Sequence, residues 1–317
     1  MAFLRLLAVV SGALLASAAL AQYPSKPIRV IAPFPPGGAL DVIGRIMAPP
    51  LSQSLGQPVV IENRPGAEGA IGGDVVAKSP PDGHTLFLVS YTVLSALPNI
   101  RKNVPFDAVS DFTPISLVGR LTFFLVVHPG LPAKTAAELI EYARANPGKL
   151  NYGAANATSM LGPALLASYA NLDMHAVPYK GEALALADLV SGRVQLMFIT
   201  GTLVPHVKDG KLRALMTILT VRSPLLPEVP TMTEAGLPPF PINPWIALVG
   251  PAKMPRDIVE RLARETSAVL RLPEVRAQLD NQAFEAASST PEEMGATIKE
   301  QLDAWRRTIS DLKLKLD

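Results

Sequence analysis

The stretch IRVIAPFPPGGALDVIGR, residues 28–45, decides the fold class of this chain. An apolar run typical of a strand (Ile28–Pro33) leads through a Pro-Pro-Gly-Gly turn into a helical pattern over 40–55. Pro49 and Pro50 fall inside that pattern and are expected to bend or interrupt the helix, because proline lacks the backbone donor. The order then repeats, with strands at Val59–Glu62 and Thr85–Ser90 and a helix at Ala67–Lys78. A β-α-β-α-β order predicts a parallel sheet with helical crossovers.

A second round of strands and helices begins near Leu121 and predicts a second lobe. Its predicted strands are Thr122–His128, Leu150–Gly153, Ala176–Tyr179, Val194–Thr200 and Leu212–Leu219, and its predicted helices are Thr135–Asn146, Ser159–Asn171 and Glu182–Ser191. The proline-rich segment Arg222–Pro244 then crosses back to a strand at Trp245–Val249 and to final helices at Asp257–Arg271, Glu274–Gln282 and Pro291–Leu314. We therefore predict an α/β chain in which 22–120 and 243–317 form one lobe and 121–242 the other. Each lobe is expected to be a mainly parallel sheet flanked by helices.

Residues 1–21 have the order of a secretory signal peptide. Arg5 supplies a positive charge, Leu6–Leu15 is a short apolar run, and small residues follow up to Ala19-Leu20-Ala21. The alternative is a membrane anchor, but a bilayer span needs about 20 apolar residues and this run is shorter. We predict cleavage after Ala21, a periplasmic location and no stable membrane insertion.

The composition excludes several classes of function. The chain has no cysteine, which excludes disulfides, thiolate metal sites and a cysteine nucleophile. The net charge is +2, with 29 basic and 27 acidic residues mixed along the chain, and this argues against a nucleic-acid partner. The four histidines lack metal-binding spacing, and no serine lies in a G-x-S-x-G motif. We therefore expect no enzymatic activity, no metal and no cofactor.

The loop after the first strand, residues 33–41 (PFPPGGALD), is the strongest candidate for a binding site. Glycines let the backbone approach a ligand closely, and a helix N-terminus offers unpaired N–H groups with a partial positive charge. Such a loop can hold a carboxylate without a cationic side chain. A plain strand-to-helix turn with Asp41 as the helix cap explains the same residues. Because Asp41 lies close to where an anion would sit, we interpret it as an organiser of the loop.

Other glycine-containing or polar turns follow several of the remaining strands. In the turn Asn63–Gly69, Arg64 is either a carboxylate clamp or, the commoner case for an arginine beside Glu62 and Glu68, part of a surface ion pair. The second lobe has polar turns of its own at Tyr152–Ser159, Val177–Gly181 and Thr200–Thr202. Ligands of open α/β sheets bind beyond the carboxyl ends of the strands. These turns therefore predict a cleft between the lobes.

Several segments occur together in the order of a known family: PFPPGGALDVIGR (33–45), ENRPGAEGAIGG (62–73), KSPPDGHTLFL (78–88), VPYKG (177–181), GRVQLMF (192–198), KLRAL (211–215) and LPEVPTMTEAGLP (226–238). They resemble the substrate-binding proteins of tripartite tricarboxylate transporters, the Bug family, from about Tyr23 to the C-terminus. The resemblance implies a type II periplasmic binding protein of Venus-flytrap architecture that captures a small organic carboxylate. The implied partner is the membrane permease or, as an alternative, a protein that senses the bound acid. We expect a monomer.

The resemblance also implies the ligand-binding residues. In the first lobe they are Phe34, Gly37, Gly38, Ala39, Asp41, Gly66, Ala67, Glu68, Ser90, Tyr91 and Thr92. In the second lobe they are Ala154, Ala155, Asn156, Thr158, Ser159, Tyr179, Lys180 and Thr200. The first-lobe loop around Gly38 is expected to hold one carboxylate through backbone groups and ordered waters.

Departures from the family pattern bear on the ligand. The family often has acidic residues where Gln195 and Thr200 stand here, and a serine- and glycine-rich turn followed by histidine where this chain has Ala154-Ala155-Asn156 and Gly162. A buried ammonium needs a paired negative charge. The missing acid at Thr200 therefore predicts an aliphatic or aromatic mono- or dicarboxylate without an amine.

Overall fold

The computed structural model describes residues 23–311, which form two β-sheets covered by helices. The strands are β1 (Ile28–Ala32), β2 (Val59–Asn63), β3 (Thr85–Ser90), β4 (Phe112–Leu121), β5 (Phe123–Val127), β6 (Leu150–Ala154), β7 (Met174–Pro178), β8 (Leu196–Thr200), β9 (Arg213–Thr217), β10 (Trp245–Pro251) and β11 (Phe284–Ala286). The helices are α1 (Ala39–Leu55), α2 (Ala70–Ala77), α3 (Leu97–Ile100), α4 (Ala136–Ala145), α5 (Ala157–Ala170), α6 (Glu182–Val190), α7 (Val204–Lys208), α8 (Arg256–Leu270), α9 (Pro273–Asp280) and α10 (Pro291–Asp311). Short 3₁₀ turns lie at Ala67–Gly69 and Gly201–Leu203, and a π-helical turn at Thr92–Ala96.

The first sheet has the strand order β11-β4-β10-β3-β1-β2. Strand β1 runs parallel to β2 and β3, whereas β10 runs antiparallel to both β3 and β4, and β4 antiparallel to β11. Every residue of β3 and β10 is buried, as expected for inner strands of a sheet covered on both faces. We call this sheet and its helices lobe 1.

The second sheet has the strand order β7-β6-β8-β5-β9. Strand β6 is parallel to β7 and β8, and β5 is antiparallel to β8 and β9. The inner strands β5 and β8 are buried throughout. We call this sheet and its helices lobe 2.

The chain passes between the lobes at two neighbouring places. Thr122 alone separates β4 of lobe 1 from β5 of lobe 2, and the second passage uses residues 218–244 between β9 and β10. The Leu121 N–H donates to the Pro244 carbonyl over 2.8 Å and so joins the two passages. The Thr122 N–H donates to the Ala283 carbonyl, and the Thr122 carbonyl accepts from the Gly201 N–H, each over 3.2 Å. The lobes are therefore connected through a compact hydrogen-bonded node.

The predicted two-lobed α/β fold is confirmed, with two differences in detail. The sheets are mixed rather than mainly parallel, because β10 and β5 enter their sheets from the other lobe without a helical crossover and run antiparallel to their neighbours. Helix α1 is not interrupted at Pro49 and Pro50. Its buried stripe, which includes Ile43 and Met47, packs into the core and holds the helix across the prolines.

The predicted signal peptide and the predicted end of the last helix at Leu314 lie outside the described residues, and the lobe boundaries stay a prediction. Within 23–311, no helix is long and apolar enough to span a bilayer. The strands β4 and β11, the short helices α3 and α7 and the π-helical turn were not predicted from the sequence.

Candidate functional site

The loop between β1 and α1 is held in shape by Asp41. The carboxylate of Asp41 accepts from the Gly37 N–H and from Arg45 Nε, each over 2.9 Å, and the Asn63 amide donates to the Phe34 carbonyl over 3.1 Å. Burial alone would raise the pKa of Asp41, but the hydrogen bonds from Arg45, Gly37 and Asn63 hold the pKa below its usual value. Asp41 is therefore a charged organiser of the loop, as its sequence position indicates.

The start of α1 leaves backbone donors available. The first helical hydrogen bond runs from Val42 N to Gly38 O over 3.0 Å, so the N–H groups of Ala39 and Leu40 precede the helical ladder. Gly37 has a φ of +81°, a left-handed conformation that favours glycine. This helix end therefore presents N–H groups and a partial positive charge to whatever lies in front of it.

A cavity of about 410 Å³ lies in front of this helix end, between the two lobes. It is lined by Phe34, Pro35, Pro36, Gly37, Gly38, Ala39, Leu40, Ser90, Tyr91, Thr92, Leu121, Phe123, Ala155, Asn156, Lys180, Gly181, Glu182, Ala183, Leu184, Thr200, Thr202 and Leu203. This size suits a small organic molecule. Among the described residues, no cluster of His, Asp and Glu could hold a metal ion.

Most predicted site residues line this cavity, but several do not. Those that line it are Phe34, Gly37, Gly38, Ala39, Ser90, Tyr91, Thr92, Ala155, Asn156, Lys180 and Thr200. Those that the cavity does not include are Asp41, Gly66, Ala67, Glu68, Ala154, Thr158, Ser159 and Tyr179. The turn Gly66–Glu68 precedes α2, and its Glu68 forms an ion pair with Arg101 over 2.7 Å. Arg64 pairs with Glu62, which agrees with the surface ion-pair interpretation.

In lobe 2, Ser159 and Tyr179 have structural partners. Asn156 caps α5 by accepting from the Ser159 N–H over 2.9 Å, and Ser159 Oγ accepts from the N–H groups of Ala155 and Asn156. Such a reciprocal pair satisfies the free donors at the helix start. The hydroxyl of Tyr179 donates to Asp188 over 2.8 Å. Ser159 and Tyr179 therefore shape the turns beside the cavity.

Ser90 is a cavity residue of lobe 1 whose side chain has an open hydrogen-bonding position. Ser90 ends β3 and lines the cavity, and its hydroxyl is buried without a hydrogen-bond partner. An unpaired buried hydroxyl costs stability and is rare in native structures. A ligand in the cavity could supply the missing partner.

Glu182 is a cavity residue that the sequence analysis missed. It begins α6 directly after the VPYKG segment, and its carboxylate accepts from Thr200 Oγ1 over 2.6 Å, from the Thr200 N–H over 3.2 Å and from Asn156 Nδ2 over 2.7 Å. Burial raises the pKa of Glu182 above its usual value, although these hydrogen bonds act in the opposite direction. An acid is therefore present beside Thr200 after all, and the reason for excluding an amine in the ligand does not hold. An acidic residue next to a predicted site turn was the available signal.

A buried hydrogen bond joins the two lobes behind the cavity. The hydroxyls of Tyr91 in lobe 1 and Thr158 in lobe 2 lie 2.6 Å apart. Burial raises the pKa of Tyr91 to about 12, so the phenol stays neutral at physiological pH.

Tyr91→Phe is expected to lower the free energy of unfolding by about 1–3 kcal/mol, because the Thr158 hydroxyl would stay buried without a partner. Urea denaturation, monitored by circular dichroism, measures the change in the free energy of unfolding. Removal of both hydroxyls, in Tyr91→Phe with Thr158→Val, is expected to cost less than the sum of the single changes. Tyr152→Phe, at a tyrosine of β6 that is not part of this bond, is the control. Equal loss in both tyrosine variants would contradict the role of the hydrogen bond.

A larger groove, of about 800 Å³, lies elsewhere on lobe 2. It runs between the start of α4 and the edge strand β9, and Lys134, Arg213 and Glu228 are among its lining residues. It contains none of the predicted site residues and belongs to one lobe only. The smaller cavity between the lobes is therefore the better candidate for the functional site.

Comparison with known proteins identifies the family. A family model described as "Tripartite tricarboxylate transporter family receptor" matches residues 43–314. The chain belongs to this receptor family. Protein BugT of Bordetella pertussis is 34% identical, covering 98% of this chain and 98% of its own length. The family resemblance seen in the sequence is therefore confirmed, and the chain is a solute-binding receptor rather than an enzyme.

Two solved structures of Rhodopseudomonas palustris proteins are similar to this receptor and carry ligands. Rpa4515 with adipate has a TM-score of 0.87 at 30% identity, covering 92% of this chain and 99% of that one. MatC with bound malate has a TM-score of 0.82 at 29% identity, covering 90% of this chain and all of that one. Both ligands are small organic carboxylates.

Proposed function

We propose that this receptor captures a small organic carboxylate in the periplasm and presents it to the membrane subunits of a tripartite tricarboxylate transporter. The observation that carries the proposal is the start of α1, whose first residues line the cavity between the lobes and whose N–H groups at Ala39 and Leu40 precede the helical ladder. A helix N-terminus holds an anion without a cationic partner. The carboxylates named with Rpa4515 and MatC support the same class of ligand for this chain.

The proposed binding event is a closure of two lobes on the ligand. We assign 22–120 with 243–317 to one lobe and 121–242 to the other, after removal of a signal peptide at 1–21. The first-lobe contacts are the loop around Gly38 and the residues from Ser90 to Thr92, and the second-lobe contacts are those of Asn156, Lys180 and Thr200. A ligand that touches both lobes favours the closed state over the open one.

A thermal-shift screen of small acids, followed by calorimetry, tests the ligand class. Adipate, malate, succinate and benzoate are compared with 1,6-hexanediol, which matches the carbon chain of adipate but has no carboxylate. We expect at least one acid to raise the melting temperature, because a ligand at 100 times its Kd stabilises by about 2.7 kcal/mol. The diol should have no effect. Equal shifts with acid and diol would contradict the carboxylate site.

Ser90→Ala is expected to weaken carboxylate binding by about tenfold, because one hydrogen bond to a charged group is lost. The melting temperature of the free protein should stay equal or rise, since a buried unpaired hydroxyl is removed. Ser95→Ala is the matched control: Ser95 is also buried with an unpaired hydroxyl, in the nearby π-helical turn, but it does not line the cavity. Calorimetry should show unchanged affinity for that variant, and an equal loss in both would remove Ser90 from the site.

Deletion of the gene tests the transport partner. Cells without the receptor are expected to lose uptake of the acid identified in the screen. If uptake persists while the transcriptional response to that acid disappears, the protein instead serves a sensing partner.

A further inference from the structure

The acid Glu182 gives the cavity two chemically different ends. At the lobe 1 end, the start of α1 offers backbone donors, which suit an anion. At the lobe 2 end, Glu182 offers a carboxylate, which accepts hydrogen bonds and repels a second anion when it is ionised. The two ends therefore favour opposite groups.

The partners of Glu182 within the protein are uncharged. Thr200 and Asn156 donate to its oxygens, and the Thr200 hydroxyl is in turn 2.7 Å from that of Thr202. The titratable residues among those lining the cavity are Tyr91, Lys180 and Glu182. Tyr91 faces Glu182 from lobe 1 as a neutral phenol, and the negative charge of Glu182 helps to raise its pKa.

Lys180 does not neutralise Glu182. It lines the cavity as an exposed residue, and in the part of the chain that the structure describes it forms no ion pair. Among residues 23–311, the Glu182 carboxylate is therefore bonded by neutral donors and forms no ion pair, and Glu182 lines the cavity.

We propose that Glu182 determines the ligand class: the cargo carries a carboxylate at one end and a hydrogen-bond donor, ammonium or hydroxyl, at the other. A dianionic dicarboxylate binds only when Glu182 takes up a proton, which turns its carboxyl group into a donor. This inference rests on the proposed function, because it assumes that the first carboxylate occupies the start of α1.

The proposal gives a pH dependence with a definite sign. Because burial raises the pKa of Glu182, protonation occurs at a higher pH than for an ordinary glutamate. Dicarboxylate affinity should therefore strengthen as pH falls from 8 to 6, by at most about tenfold per unit for one proton taken up. Affinity for a ligand with an ammonium group should change in the opposite direction.

The test compares matched ligands in wild type, Glu182→Gln and Glu141→Gln by calorimetry at pH 6 and pH 8. The six-carbon ligands are adipate, 6-aminohexanoate and 6-hydroxyhexanoate. The four-carbon ligands are succinate, 4-aminobutanoate and 4-hydroxybutanoate. Glu182→Gln should bind dicarboxylates at pH 8 at least about tenfold more tightly than wild type and lose the pH dependence. Glu182→Gln should bind the two ligands that carry an ammonium group at least about tenfold more weakly than wild type does. Glu141, an exposed acid of α4, is the control and should change nothing.

The outcomes separate this inference from the proposed function. Equal loss of affinity for all ligands in Glu182→Gln would show a structural role and overturn the inference alone. Tight, pH-independent binding of a dicarboxylate by wild type would also overturn it while leaving the carboxylate receptor in place. If neither wild type nor Glu182→Gln binds any of these ligands, both the inference and the proposed function are wrong.

Discussion

Gly38→Val should weaken carboxylate binding by about 100-fold while the protein stays folded. Gly38 precedes α1, lines the cavity and has a φ of −76° and a ψ of 166°, which any residue can adopt. An added Cβ would meet only the Pro35 carbonyl, at 3.3 Å, a tight contact that a shift of a few tenths of an ångström relieves. Because Gly38 lines the cavity beside the start of α1, we expect the added side chain to separate the ligand from the N–H groups of the helix. A hydrogen bond to a charged group contributes about 1.5–3 kcal/mol, and steric exclusion adds to its loss.

Gly56→Ala is the control for Gly38→Val. Gly56 ends the same helix with a φ of 74°, far along the chain from the cavity residues, and an added Cβ would meet nothing within 4 Å. Its replacement is expected to lower stability by about 1 kcal/mol through backbone strain, without a change in affinity. Calorimetry and thermal melts measure both quantities. If Gly38→Val bound the acid as tightly as wild type, the anion would have to lie elsewhere in the cavity.

Gly201→Ala is the second substitution with a large expected effect, because it lies where the lobes meet. Gly201 follows β8 in lobe 2, and a Cβ at this position would lie 2.6 Å from the Gln282 carbonyl and overlap the Ala283 side chain. Since Gln282 and Ala283 connect α9 to β11 in lobe 1, the added methyl group must push the lobes apart or distort this contact. Overpacking of this kind costs about 1–3 kcal/mol. If this 1–3 kcal/mol destabilises the closed, ligand-bound arrangement of the lobes and not the open one, ligand affinity should drop roughly 5- to 150-fold.

The control for Gly201→Ala removes the opposing side chain. Ala283 has a φ of 50°, which suits glycine, so Ala283→Gly alone should bind the ligand as wild type does. Combined with Gly201→Ala it should restore only part of the affinity, because the Gln282 carbonyl remains in place. Small-angle scattering should show a larger radius of gyration for Gly201→Ala with ligand than for wild type with ligand. An unchanged affinity and radius would show that the lobes do not approach each other here.

Local patterns in the sequence were sufficient to predict the two-lobed fold. The continuous apolar runs that became β3 and β10 indicate buried strands. The direction of each strand in its sheet could not be predicted as well, because an apolar run such as β10 has the same sequence pattern in a parallel and in an antiparallel pair. The uninterrupted α1 shows the same limit, since packing against the sheet outweighed the local effect of Pro49 and Pro50.

The candidate site was predictable where it is built from the backbone. The residues around Gly38 and Ser90 follow strands whose carboxyl ends meet at one edge, and the cavity includes them. Glu182 could not be placed in the same way, because its role depends on the meeting of three separate elements: the start of α6, the end of β8 and the cap of α5. A single sequence shows an acid at the start of a helix but not the distance from that acid to Thr200.

The single-residue passage at Thr122 limits how the receptor can move. One residue contributes only two soft backbone rotations, and both its N–H and its carbonyl are already bonded, to Ala283 and Gly201. In the proposed closure, the lobes would therefore rotate about Thr122, with displacements that grow with distance from that residue. Under the same proposal, exchange of a cavity residue such as Glu182 would change the ligand that is bound without altering this pivot.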